Sequence, residues 1–386
     1  MKALIYVQHL LGTGHVVRAA ALARALAARD VETVLVSGNR VPPTVAVNGF
    51  SVIELPAARS SDDRFSAVVD EAGRPVDDRW KARRRNRLLS VFDDTGPDIL
   101  LTETWPFGRN AFAFELEPLM EAAKGVVPRP IVAASVRDIL VRKNDAKKEH
   151  RMAERAHATC DLVLVHGDPA FVRFEDSFPF AAEIADLIRY TGYIDTGADT
   201  PEPPDSNGTG EVVVSCGGGA VGAALLETAL AARALSARAG RLRWRVLVGT
   251  DLDDLVLAGL KTSAGDGIVV ERARRDFPGL LKRARLSVSQ CGYNTAVDVL
   301  AAGCAAVFVP FARGAETEQT QRAEALAARG LATVVPEADM TPDRLAAGID
   351  AALDLPKAAL TLDRDGARTS ADLLIDAVDT LRNRTA

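Results

Sequence analysis

The chain is predicted to be an α/β protein built from two doubly wound, Rossmann-like domains. Three observations predict it. Short continuous apolar runs alternate with helical stretches, and the pattern occurs twice. A segment rich in proline and glycine, 196–210, separates the two series. A glycine-rich turn follows the first strand of each series: Gly12-Thr13-Gly14-His15, and Gly217-Gly218-Gly219.

The first series of apolar runs is 3–7, 33–37, 52–55, 98–102, 131–135 and 162–165. Strands buried on both faces show no polar alternation, so these runs indicate a parallel sheet covered by helices. The second series is 212–215, 245–248, 268–270, 286–289, 306–309 and 333–335. The expected organisation is a first domain at 1–195, a linker at 196–210, a second domain at 211–370 and a final helical stretch at 371–386. A length of 386 residues agrees with two or three domains.

Composition narrows the class. With 48% hydrophobic and 26% charged residues the chain reads as a soluble globular protein. A net charge of −5 argues against general nucleic-acid binding. No run approaches the ~20 apolar residues of a membrane span, and the chain opens on a strand rather than on a signal peptide. Cys160, Cys216, Cys291 and Cys304 are scattered, with no metal or disulfide spacing, so a reducing, cytoplasmic setting is expected.

The densest signal lies between Ser289 and Ala323. An apolar strand ends at Gly292, a helix carrying Asn294, Thr295 and Asp298 follows, a second strand ends at Pro310-Phe311, and another helix opens with Glu318 and Gln319. In such a βαβα unit ligands sit beyond the strand carboxyl ends, where helix N-termini present amide N–H groups suited to phosphate. Gly217, Gly219 and Gly222 also fit G-x-G-x-x-G, but the acid expected about 20 residues on is not evident, which leaves a dinucleotide site poorly supported. There is no G-x-x-x-x-G-K-[ST] loop.

This stretch resembles the nucleotide-sugar half of the GT-B glycosyltransferases, in particular the group that adds N-acetylglucosamine to lipid I. A bacterial group of glycosyltransferases is similar over most of the chain, through Trp105-Pro106-Phe107-Gly108, Val136-Arg137-Asp138-Ile139 and Glu318-Gln319-Thr320-Gln321-Arg322-Ala323. The resemblance implies two domains facing each other across a cleft, with the last helix crossing back to the first domain. It places Gly292, Asn294 and Thr295 at the donor diphosphate, Asp298 at the ribose, and Glu318 and Gln319 at the sugar, with Arg322 one turn on. Glu318 departs from the Gln-Gln pattern of the family, which leaves the sugar open. Gly12, Gly14, Gly217, Gly218 and Gly219 would line the donor, and the backbone near Ala273 and Arg274 would meet the base. The implied reaction is inverting transfer from a UDP-sugar, without metal or other cofactor. The acceptor, lipid-linked or a small molecule, stays open. A UDP-sugar hydrolase, a 2-epimerase and a non-catalytic nucleotide-sugar-binding protein remain alternatives.

His15 opens a helix, where the positive dipole end disfavours imidazolium and leaves the neutral ring a general base needs. It equally fits a residue that binds phosphate or caps the helix. Glu103 is the rival base. Trp105, Arg137 and Asp138 lie on loops beyond strand ends and are expected on the acceptor side, or else form a packing corner. The basic stretch from Arg79 to Arg87, followed by Leu88, Leu89, Val91 and Phe92, fits peripheral contact with the cytoplasmic face of a membrane, an anionic acceptor, or a solvated helix face.

Overall fold

The computed structural model describes residues 1–10, 12–61, 67–197, 200–217, 222–312, 317–356 and 362–385. The chain divides into two compact units. The first comprises 1–10, 14–194 and 362–386; the second comprises 195–361 with the short stretch at 12–13.

The first unit runs β1 (Lys2–Val7), α1 (Gly14–Ala27), β2 (Glu32–Ser37), β3 (Ser51–Glu54), β4 (Arg59–Ser60), β5 (Val68–Val69), α2 (Asp78–Thr95), β6 (Ile99–Glu103), α3 (Ala113–Gly125), β7 (Ile131–Arg137), α4 (Ala146–Thr159), β8 (Leu162–His166) and β9 (Ile188–Tyr190). Its sheet has the order β3-β2-β1-β6-β7-β8-β9, with every pairing parallel. Successive strand side chains point to opposite faces. Accordingly Leu4 and Tyr6 of β1 join one core with α2, α3 and α4, while Ala3, Ile5 and Val7 join another with α1. The strand β9 and the small β4–β5 hairpin have apolar runs too short to stand out in the sequence.

The second unit runs β10 (Val212–Ser215), α5 (Ala223–Arg233), β11 (Trp244–Val248), α6 (Asp254–Ser263), β12 (Ile268–Arg272), α7 (Phe277–Arg283), β13 (Leu286–Ser289), α8 (Tyr293–Ala302), β14 (Ala305–Phe308), α9 (Glu318–Ala327), β15 (Thr333–Val334) and α10 (Pro342–Asp354). Its six parallel strands are ordered β12-β11-β10-β13-β14-β15. The last helix, α11 (Gly366–Thr385), starts five residues before the stretch expected from 371 and belongs to the first unit. There Ala371, Leu374 and Val378 pack into the core beside α1. The segment at 200–210 is packed rather than free. Arg283 donates to the carbonyls of Pro203 and Asp205, both at 3.0 Å, and the Gly208 backbone lies against Leu280.

The basic stretch forms most of α2. Asp77 caps the helix, accepting from the Trp80 amide at 2.6 Å, and Gly96 ends it with φ +53°, a left-handed turn that suits glycine. Trp80, Arg84, Leu88, Val91 and Phe92 face inward. Arg84 is fully buried, bonded to Glu115 at 2.7 Å and to the Gly38 and Pro56 carbonyls at 2.7 Å each. The apolar residues of the stretch therefore belong to the core. Arg79, Arg83 and Arg87 are left on the exposed face.

Candidate functional site

Both sheets reverse their winding direction once, and ligands of such sheets bind beyond the strand ends at that point. In the first sheet the reversal lies between β1 and β6, in the second between β10 and β13.

In the first unit the loops after β1 and β6 bring His15 to Glu103. Helix α1 begins at Gly14, so His15 stands in its first turn. His15 Nδ1 lies 2.9 Å from Glu103 Oε1. Glu103, the last residue of β6, is 1% exposed. It pairs with the buried Arg18 and accepts from Ser135 Oγ at 2.6 Å. Burial pushes the Glu103 carboxyl up. Arg18, the His15 contact and the Ser135 hydroxyl outweigh that and hold it well below the usual carboxylate range. Burial, with Arg109 and Arg137 nearby, holds His15 well below its ordinary value, while Glu103 pulls the other way. The ring is therefore neutral at pH 7. A carboxylate only accepts, and Glu103 at 2.9 Å is nearer to Nδ1 than the Arg18 Nη2 donor at 3.3 Å, so Nδ1 carries the proton and Nε2 the lone pair. Nε2 takes no partner among the described residues.

Three of the expected site residues lie below the surface. Glu103 is engaged on both oxygens, one against the His15 imidazole and the other against Ser135. Trp105, expected to meet the acceptor, is 2% exposed in the core, with the Arg155 guanidinium 5.3 Å from the ring centre. Asp138 is fully buried and accepts from Tyr193 Oη at 3.1 Å, which makes it a packing corner. Arg137 is half-buried.

In the second unit the loops after β10 and β13 touch: a Cβ added at Gly222 would meet Gln290 Nε2 at 3.3 Å and Cys216 Cβ at 2.3 Å. Gly222 has φ +114° and Gly217 has φ +76°, conformations that favour glycine. Gly218 and Gly219 lie outside the described residues. Helices α5, α8 and α9 follow the adjacent strands β10, β13 and β14, and none has a side-chain cap at its N-terminus. Helices α2, α4, α6 and α10 are capped by Asp77, Asp145, Asp253 and Thr341, while α3 and α7 also start without a side-chain cap. Around Gly292, the N-cap of α8, there is open space where a side chain would project. Asn294 and Thr295 in the first turn are half-buried. Asp298, three residues beyond Thr295 and so on the same helix face, is 7% exposed. Its Oδ1 has no partner among the described residues. Burial, and then the Asp195 carboxylate, raise it well above the usual aspartate range.

The residues expected at the sugar are largely occupied. Glu318 is 3% exposed and accepts from Arg322 Nη2 at 2.5 Å, and Arg322 donates to the Cys291 carbonyl at 2.8 Å with Tyr293 under its guanidinium. The departure from Gln-Gln is thus answered by an arginine one turn along, which makes the pair a brace between α9 and the turn after β13. Gln319 Oε1 accepts from the Phe311 amide at 3.1 Å and fixes the Pro310-Phe311 loop. Arg274 is held by Asp276 and Glu271, and the Ala273 amide is spent on the Val248 carbonyl at 2.8 Å.

Sequence reasoning passed over Arg18, Ser135, His166 and Thr191 as functional groups. Their signal was positional. Ser135 and His166 are polar residues near the carboxyl ends of otherwise apolar strands, and Arg18 stands three residues after His15 on the same helix face.

Residues 213–376 match the Glycosyltransferase family 28 C-terminal domain, a span that runs through the second unit and into α11. The UDP-N-acetylglucosamine--N-acetylmuramyl-(pentapeptide) pyrophosphoryl-undecaprenol N-acetylglucosamine transferase of Phenylobacterium zucineum is 28% identical over 385 residues, 96% of each chain. The same-named enzyme of Methylorubrum extorquens is 34% identical over 107 residues, a match that spans only 28% of either chain. Among solved structures, glycosyltransferase VinC in complex with DTDP superposes with a TM-score of 0.63 at 12% identity, covering 100% of both chains. Acinetobacter baumannii MurG does so with 0.59 at 15%, covering 97% of this chain and 100% of the other. With its two doubly wound sheets and a match to the family 28 C-terminal domain over residues 213–376, the chain has the GT-B fold and is a glycosyltransferase similar to the N-acetylglucosamine transferases named above.

Proposed function

We propose that the protein transfers a sugar, with inversion and without a metal, from a UDP-sugar to an acceptor hydroxyl. The observation that carries this reading is the set of uncapped N-termini of α5, α8 and α9 on three adjacent strands of the second unit. Helix N-termini without a side-chain cap, with the helix dipoles there, suit a diphosphate and stabilise the negative charge that grows on it as it leaves. Thr295 would contact the diphosphate and Asp298 the ribose hydroxyls. His15 in the first unit takes the acceptor proton on Nε2, and Glu103 stabilises the imidazolium that forms. The acceptor oxygen bonds to the anomeric carbon as the bond to the diphosphate oxygen breaks. That bond's electron pair leaves with the diphosphate.

For the acceptor we propose a lipid-linked substrate reached at a membrane surface. Arg79, Arg83 and Arg87 repeat every four residues on the exposed face of α2 and make no ion pair among the described residues. No helix among the described residues is long and apolar enough to cross a membrane.

The test is thermal stabilisation by UDP-, TDP-, GDP- and CDP-sugars, with and without EDTA, since binding to the native state raises the midpoint. The expected result is a shift with UDP-sugars that survives EDTA and is lost in Asp298→Ala. A shift with NAD and with no nucleotide sugar contradicts the reading. Sugar release without acceptor would reveal a hydrolase, and interconversion of two UDP-sugars an epimerase.

A further inference from the structure

A line of buried polar groups lies behind the His15–Glu103 pair. Strands β6, β7, β8 and β9 are consecutive neighbours in the sheet. Each offers one group at or near its carboxyl end: Glu103, Ser135, His166 and, just past β9, Thr191. Glu103 and Ser135 are directly paired in register. Ser135 Oγ lies 2.6 Å from Glu103 Oε2 and 2.9 Å from His166 Nε2, and His166 Nδ1 lies 2.9 Å from Thr191 Oγ1. All four are at most 1% exposed.

The protons in this line have a defined order. Ser135 has one proton, and an ionised Glu103 can only accept. At 2.6 Å a hydroxyl lone pair facing the carboxylate would be repulsive, so the Ser135 proton lies on the Glu103 side. Ser135 must then accept from His166, which places the His166 proton on Nε2. Burial, aided by Arg18, depresses His166 to about 3, so the ring carries a single proton, and its Nδ1 lone pair faces Thr191 Oγ1, whose hydroxyl also lies 3.0 Å from the Gly192 carbonyl. From His166 through Ser135 the donors point toward Glu103. A network that served packing alone would need only satisfied partners; this one has a direction, and it ends on the carboxylate that selects the tautomer of His15.

We infer that His166 is a positioning residue: through Ser135 it fixes the Glu103 carboxylate beneath His15 and so keeps the lone pair of His15 on Nε2. The inference rests on His15 being the base, but its test does not involve a substrate. The charged groups facing His15 are Glu103, Arg18, Arg109 and Arg137; those facing His166 are Arg18 and Glu103.

The experiment is long-range 1H–15N NMR of the full chain labelled with 15N-histidine. There are five histidines, few enough to assign by single substitutions. In the wild type His166 is expected as the Nε2–H tautomer and His15 as the Nδ1–H tautomer. In Ser135→Ala, Glu103 loses a donor and becomes a stronger partner for imidazolium, so the His15 titration midpoint moves up by about one pH unit. His166→Leu is expected to do the same by freeing Ser135 to turn away. His166→Gln, whose amide reaches the Nε2 position, restores the wild-type midpoint. A wild-type His166 protonated on Nδ1 overturns the inference and requires no variant. So does a folded Ser135→Ala protein with an unmoved His15 midpoint. UDP-sugar binding is read separately, so failure of the relay and failure of the transferase reading are distinguishable.

Discussion

Asp298→Asn is expected to make the free protein more stable and its donor complex weaker. Asp298 is 7% exposed, and its Oδ1 has no partner among the described residues. Burial, then Asp195, raise the carboxyl above its ordinary value, with Lys282 opposing. A group whose folded pKa is raised contributes fully below its unfolded pKa, about 3.9 for aspartate, and loses that contribution as pH rises toward the folded value. Asparagine keeps the shape and cannot ionise. The stability difference should therefore be near zero at pH 4 and grow to about 1–3 kcal/mol in favour of Asp298→Asn by pH 8. That corresponds to several degrees in the thermal midpoint, at roughly 2–4 °C per kcal/mol for a unit of this size. Ribose hydroxyls would give the carboxylate the donors it lacks. Loss of a hydrogen bond to a charged group should weaken UDP binding about ten- to a hundredfold. The assay is a thermal scan from pH 4 to 8.5 with a UDP titration at each pH in EDTA. A variant less stable than wild type at pH 8, or one that binds UDP as tightly, would refute the assignment of Asp298 to the ribose.

Three further outcomes are expected. His15→Ala should lower kcat at least about a hundredfold with UDP affinity unchanged, and wild-type kcat/KM should stay flat through neutrality, falling only in acid as the depressed His15 midpoint is crossed; a limb near pH 7 would contradict this. Arg322→Met leaves Glu318 buried without its counter-charge and should cost about 3–5 kcal/mol by calorimetry, most of it recovered by adding Glu318→Gln. A single variant costing under about 1 kcal/mol would remove the brace. Glu103→Gln strands Arg18 in the same way. Because the Glu103 pKa is depressed, its stabilisation is present above about pH 4.3 and is lost as pH falls through the folded value. Urea midpoints measured between pH 3 and 7 should therefore slope less in the variant than in the wild type.

Most of the architecture was legible because parallel strands buried on both faces leave continuous apolar runs. The runs at 3–7, 98–102 and 212–215 each correspond to a central strand, off by a residue or less. The strand β9 was not legible: three residues, Ile188-Arg189-Tyr190, carry too little pattern. The basic stretch misled in one respect. Leu88, Val91 and Phe92 sit on the same helix face as Trp80 and Arg84, and only packing shows that this face is inside.

The site divides along the same line. Sequence by itself determined the switch-point turns, the helices that open beyond them, and the presence of His15, Glu103 and Thr295 at strand ends or first turns with Asp298 one turn on, because local spacing fixes those positions. Only the tertiary structure decided which groups meet. It set Arg18 and Ser135 on Glu103 and His166 behind Ser135, spent Glu318 on Arg322, and drew Trp105 and Asp138 into the core. The physical reason is that most of these pairings join residues far apart in sequence, and the consequences of all of them, the local Glu318–Arg322 pair included, depend on burial. An ion pair worth little in water becomes decisive when both charges are removed from it.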